Sequence, residues 1–192
     1  MRQPACPDAL QDPIDFARAI AKRGGLRTAD NDSTMPVDGA KCKAYWAEFV
    51  QSLAAHDPRR TARPDAFGFG GEGELADELA ALVLAGKKRA TASLAVEYTA
   101  LDEPLPKPGD MSIILDGRGN PVGIIERTSV DVLPFQAVDE AFAACEGEGD
   151  GSLRYWREVH TGYFNGVCSR LGGKLDESTP ILCQRFRLAW PR

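Results

Sequence analysis

The sequence predicts an α+β domain, a small barrel or strongly curved sheet capped by helices, and three observations carry that expectation. Apolar residues recur at helical spacing over Lys41 to Ala55 and again from Leu75 to Val83. From Thr91 the period changes to two, and alternating stretches with a hairpin signal follow. A further helical face then precedes a last alternating stretch, Ile181 to Trp190. Helices first, strands grouped together and one helix inserted before the final strand form the order of segregated α+β packing, which differs from the alternation of βαβ winding.

The elements follow in chain order. Residues 1–40 mix prolines, glycines and charges around one short amphipathic patch, Ile14 to Ile20, and read as a loosely held extension, which leaves 41–192 as the folded domain. Tyr45, Trp46, Phe49, Val50 and Leu53 mark the first helix, ended by His56-Asp57-Pro58. A Pro/Gly-rich loop, Pro64 to Gly73, leads to the second helix. Its acidic start and its end at Gly86-Lys87-Lys88-Arg89 suit both the helix dipole and a glycine cap. Thr91 to Tyr98 is expected to be a strand with Thr91, Ser93, Ala95 and Glu97 on one face. Met111 to Leu115 and Val122 to Val132 are expected to pair across the turn Asp116 to Asn120. Asp139 to Ala144 is a short helix. The loop Glu146 to Ser152 ends at a serine N-cap. Behind it Leu153, Trp156, Val159, His160, Tyr163, Phe164 and Val167 describe one apolar face of a helix reaching about Leu171.

Composition narrows the function. The chain has 192 residues, 43% of them hydrophobic, enough for one cored domain with an appendage and too few for two ordinary domains. A formal net charge of -5 means that any nucleic-acid or anion site must be local. The five cysteines, Cys6, Cys42, Cys145, Cys168 and Cys183, are scattered and form no C-x-x-C pair. They read as reduced thiols in a cytoplasmic protein, and no structural metal site or cofactor is expected. No apolar run approaches the roughly 20 residues of a spanning helix.

Two segments concentrate chemistry. In GKKRATAS, Gly86 to Ser93, a glycine turn, two lysines and the hydroxyls of Thr91 and Ser93 converge, which suits binding a phosphate or polarising a carbonyl. The plain alternative is a capped helix end followed by a solvent-facing strand. It is not a Walker loop, because the helix precedes the glycine turn. In EGEGDGS, carboxylates alternate with glycines, an arrangement for acid/base work or for favouring the positive end of the next helix. His160 is either a packing histidine or a catalytic one, and His56 in its loop is a weaker candidate. Glu126 is either a partly buried acid/base or a strand-end carboxylate. Trp156 is core with an edge that could stack a base.

The run LADELAALVLAGKKRATASL, the hairpin ending GIIERTSV, the segment EGEGDGSLRYWREVH-x-x-YF and the last strand ILCQRF together resemble the ASCH domain family, in its branch with the EGEGD-S-L-x-x-W-R-x-x-H signature. The resemblance covers about Ala44 to Trp190. It implies a PUA-like β-barrel with helices around a ligand cleft and a partner that is RNA or a nucleoside derivative. Its G-x-K-x-x-T element falls on Gly86, Lys88 and Thr91, and its acidic element falls on Glu148, with Glu146 as the alternative alignment. Small amidohydrolase relatives lack the EGEGD loop and carry arginine where Ser93 stands, a departure that leaves their substrate open for this chain.

On that basis a hydrolase acting on RNA or a modified nucleoside is expected, with Lys88, Thr91 and Glu148 carrying the chemistry. Lys87, Ser93, Glu146, Trp156 and Arg157 would bind and orient the substrate, and no metal would take part. The rival expectation is a non-catalytic RNA- or nucleotide-binding module built on the same lysines and aromatic rings.

Overall fold

In the computed structural model, which describes residues 38–191, the first helix starts where Asp38 supplies an N-cap. The Asp38 carboxylate accepts from the amides of Ala40 and Lys41 at 3.0 and 3.2 Å. Helix α1 is Gly39–Ser52. A 3-10 turn at Pro58–Thr61, capped by Asp57, then leads to strand β1, Asp65–Phe67. Helix α2 is Glu74–Leu84, β2 is Ala90–Leu94 and α3 is Ala95–Ala100. The hairpin strands are β3, Met111–Leu115, and β4, Pro121–Pro134. Helices α4, Glu140–Glu146, and α5, Leu153–Arg170, precede β5, Pro180–Trp190. The patch Ile14 to Ile20 lies outside the described residues.

The five strands form one curled half-barrel sheet in the order β1-β3-β4-β5-β2. All pairs are antiparallel except β1 with β3, which is parallel. The long β4–β5 ladder, Ile124↔Trp190 to Pro134↔Pro180, shifts register twice, and such irregularities bend and twist a sheet.

Register sorts the side chains onto two faces. Asp65, Ser112, Ile125 and Leu188 are linked by successive pairings across β1, β3, β4 and β5. Two residues along on each strand, Arg127 and Phe186 share that face, and Gln184 with its partner Thr91 continues it. Helix α2 packs on this face: Leu79, Ala80 and Val83 meet Phe69, Ile114, Ile125 and Phe186. On the opposite face α1 covers Met111, Ile113, Leu115 and Ile124, while α4 and α5 cover Ala90, Leu94, Ile181 and Cys183. Burial there pushes the Cys183 thiol up to about 12.

Three expectations change. The strand from Thr91 stops at Leu94 and residues 95–100 are helical, because its partner β5 begins at Pro180 and the ladder ends at Leu94↔Ile181. The Glu97 carboxylate then accepts from the Leu94 amide at 3.0 Å and starts α3. Within the expected loop Pro64 to Gly73, three residues form β1, too short to show a period of two. Val159 and Tyr163 are exposed, and the buried face of α5 is Trp156, His160, Phe164, Val167 and Cys168. Among the described residues no helix is long and apolar enough to cross a membrane.

That face assignment has a direct consequence. Phe164→Ala should cost about 3–5 kcal/mol in urea unfolding, whereas Val159→Ala should stay within about 0.5 kcal/mol.

Candidate ligand site

Two chain reversals build the site. At the end of α2, Gly86 takes φ +69, a left-handed conformation that favours glycine. The amides of Lys87 and Lys88 both return to the Leu82 carbonyl, at 2.9 and 3.0 Å. The reversal turns Lys88 inward and leaves Lys87 exposed. At the end of α4, Gly147 takes φ +66, and a Cβ there would lie 2.5 Å from the Lys87 carbonyl oxygen. Glycine therefore lets the two reversals touch. The Arg89 amide donates to the Cys145 carbonyl at 2.8 Å and ties them together.

This contact sets Lys88 between two carboxylates. Its side chain is 1% exposed. Nζ donates to Glu146 Oε2 at 3.0 Å and to Glu148 Oε1 at 2.5 Å, and sits 5.1 Å from the centroid of the Phe69 ring. Glu146 is itself fully buried, and its other oxygen accepts from Trp156 Nε1 at 2.9 Å. His160 stacks on Trp156 at 4.2 Å between centroids, its Nδ1–H meets the Trp156 carbonyl at 3.0 Å, and its Nε2 lies 3.7 Å from Glu146. Glu148 differs from Glu146 in one decisive way: its side chain is 20% exposed. Of the two carboxylates on Lys88, Glu146 anchors inward and Glu148 faces outward.

The other sequence-derived candidates are distributed around this centre. Thr91 and Ser93 lie on the α2 face of β2, opposite Gln184 and Leu182 of β5. Among the described residues Thr91 makes no side-chain hydrogen bond to Lys88 or Glu148, and Ser93 Oγ is buried with no partner at all. Trp156 is buried and presents no free edge for a base. Arg157 directs its guanidinium to the carbonyls of Phe135, Gln136 and Val138, the last two at 2.9 Å, and lies over the Phe135 ring. Burial lowers its pKa from the usual arginine range. Asp150 accepts from the Ser152 hydroxyl at 2.6 Å and amide at 2.9 Å, which holds its carboxyl below the ordinary range. Glu126 lies on the opposite face of the sheet, paired with Arg187 at 2.8 Å and Arg59 at 3.7 Å, away from Thr91. His56 is exposed in its loop.

Sequence reasoning did not find Phe69, Ser112, Arg127 or Gln184. Phe69 stands in a glycine-rich loop with no periodic signal. Gln184 becomes a neighbour of Thr91 only through the β2–β5 register, which a single sequence does not specify.

A curled mixed sheet with helices around an ionic centre at the end of α2 defines a PUA-like domain. A family model described as the ASCH domain matches residues 65–189. The chain belongs to the ASCH domain family. It is similar to the ASCH domain of Lactobacillus crispatus JV V101, at 31% identity and TM-score 0.74, covering 78% of this chain and 94% of that one. A crystal structure of a protein from Enterococcus faecalis V583 is similar at 31% identity and TM-score 0.68, covering 79% and 91%. No curated protein matches.

Lys88→Met leaves Glu146 buried without its cation and should cost about 3–5 kcal/mol in urea unfolding. Adding Glu146→Gln, which keeps an acceptor for Trp156, should return part of that loss, so that the double variant is more stable than the sum of the singles. Gly147→Ala adds a Cβ against the Lys87 carbonyl in a left-handed conformation, and a loss of about 1–3 kcal/mol is expected.

Proposed function

We propose that this ASCH domain binds RNA or a nucleoside derivative beside the α2 terminus and the acidic loop, and hydrolyses a bond in it. The observation that carries the reading is the buried Lys88 held by two carboxylates, of which Glu148 alone turns outward. A buried ion cluster is a weak source of stability, since apolar residues of similar volume serve as well. Buried charges with specific partners concentrate instead at functional sites. The family's PUA-like fold, often linked to RNA binding, supplies the substrate class.

In this reading Glu148 is the proton-transfer group. It accepts a proton from an attacking water, or from Thr91, and returns it to the leaving nitrogen or oxygen, so that the elements of water add across the broken bond. Lys88 fixes the Glu148 carboxylate in place for that transfer. Thr91 holds the water; where its Oγ1 attacks instead, Glu148 passes the Thr91 proton to the leaving group, and the Thr91 ester so formed is cleaved by a water whose proton Glu148 accepts and returns to Oγ1. Ser93 contributes a hydroxyl with no internal partner. Lys87, exposed at the rim, adds long-range attraction for a phosphate backbone.

One observation favours a second reading, a binding module without turnover. Thr91 Oγ1 has no hydrogen bond to a base among the described residues, and Lys88 is sealed behind its two carboxylates. The exposed Lys87 and the Thr91 hydroxyl would then hold a phosphate and release it unchanged.

The two readings separate in one assay. Wild type, Lys88→Ala and Glu148→Gln are tested against labelled RNA and acylated nucleosides. Hydrolysis by wild type that falls at least about 100-fold in Glu148→Gln supports catalysis. Equal background turnover in all three removes the enzyme. Salt-sensitive RNA binding that Lys87→Glu weakens would then leave the binding module.

A further inference from the structure

We propose that Gln184 reads an acceptor oxygen of the ligand, a carbonyl or phosphoryl oxygen, and that Arg127, Ser112 and Asp65 hold it to that task. The inference rests on the functional reading above, because it places the ligand beside Thr91.

Gln184 is 3% exposed and Arg127 7%, and the Arg127 guanidinium has no ion pair among the described residues. Arg127 Nε donates to Gln184 Oε1 at 2.7 Å, and its Nη1 donates to Ser112 Oγ at 2.7 Å. The Ser112 hydroxyl in turn donates to Asp65 Oδ1. Each link has one possible polarity. A guanidinium only donates, so the Gln184 amide must turn its oxygen to Arg127. Ser112 accepts from Arg127 and passes its own hydrogen to a carboxylate that only accepts. The charge on Asp65 therefore reaches Arg127 through a hydroxyl.

The consequence lies at the far end of the chain. With Oε1 committed to Arg127, Gln184 has only its Nε2 hydrogens to offer, and these have no partner among the described residues. Ser93 Oγ is the one side-chain polar atom there that is both fully buried and unpartnered, so Gln184 Nε2 is not completely sealed. Thr91 is its cross-strand neighbour. An amide with both hydrogens unmatched in a largely buried position favours a ligand atom that accepts, and a ligand donor at that point would meet two opposing hydrogens.

The geometry also gives the site two chemically different ends. Around Lys88, two carboxylates face one ammonium, an excess of negative charge. Around Arg127 the bonded groups are an amide oxygen and a hydroxyl, with the Asp65 carboxylate one hydroxyl further away, so the guanidinium is not outnumbered by carboxylates. Phe69 and Phe186 bridge the two, since Phe69 lies under Lys88 and stacks on Phe186, the register partner of Arg127. A ligand whose acceptor oxygen meets Gln184 lies beside Thr91, its cross-strand neighbour. Gln184 is a specificity-determining residue in this account, and Arg127 a positioning residue.

The test uses the full-length chain labelled with nitrogen-15, with the Gln184 side-chain amide assigned through its backbone. Inorganic phosphate, uridine and uridine 5′-monophosphate are titrated separately. The expected result is a shift of the Gln184 side-chain amide pair. A shift with uridine identifies a carbonyl oxygen as the partner, and a shift only with the phosphate-bearing probes identifies a phosphoryl oxygen. Gln184→Glu, which replaces the donor by an acceptor of the same shape, should weaken the responding probe about tenfold or more. Arg127→Lys, which keeps the charge and lacks the Nε–H, should weaken it in the same direction with the Lys88 ion cluster unchanged. Movement of the Thr91 backbone amide with a still Gln184 side chain, and equal binding by Gln184→Glu, would overturn this inference alone. No movement near Thr91 with any probe would overturn it together with the functional reading.

Discussion

The ammonium of Lys88 sits where two parts of the chain far apart in sequence have to meet. Its neighbours Glu146 and Glu148 come from the end of α4 and the loop after it, 58 and 60 residues away. Two buried charges and a partly exposed one in one place would be unfavourable singly, so each element must hold its register for the cluster to be satisfied. Gly86 turns the lysine inward, Gly147 lets the acidic loop touch the backbone at Lys87, and Trp156 and His160 fix Glu146 from beneath. The site is thus built into the packing of α2, α4 and α5 against the sheet, and its rigidity comes from that packing.

Much of this architecture was legible from the residues. Helical spacing located α1, α2 and α5 to within a few residues, and the turn Asp116 to Asn120 located the hairpin. The two chemical segments were legible as well, because glycines beside charged residues are hard to explain by a core. What stayed hidden depends on pairings between distant segments. The strand at Thr91 read as longer than it is because nothing local reveals that β5 starts at Pro180. The three-residue β1 carries too few positions to show a period. Val159 and Tyr163 fit a helical spacing, but the tertiary face runs through Trp156, His160 and Phe164.

The choice between Glu146 and Glu148 shows the same limit in another form. Two carboxylates two residues apart in a glycine-rich loop are equivalent in sequence, and only burial separates them. Glu146 accepts from an indole N–H and turns into the core, while Glu148 reaches the same lysine from the solvent side. Glu126 is removed from consideration by strand parity, since it points to the face opposite Thr91. Arg157 is expected from the sequence to orient the substrate. Its planar fork instead clasps the carbonyls that follow β4.

In the proposed function ligand meets the sheet at the partly exposed Thr91, beside Glu148 and Gln184. Photo-crosslinking of a 4-thiouridine-substituted single-stranded RNA, followed by mass spectrometry of the crosslinked peptides, tests it most directly. Crosslinks are expected in the peptides that contain Thr91, Glu148 or Gln184. Crosslinks confined to the opposite face, on peptides around Arg59 and Trp46, would contradict it.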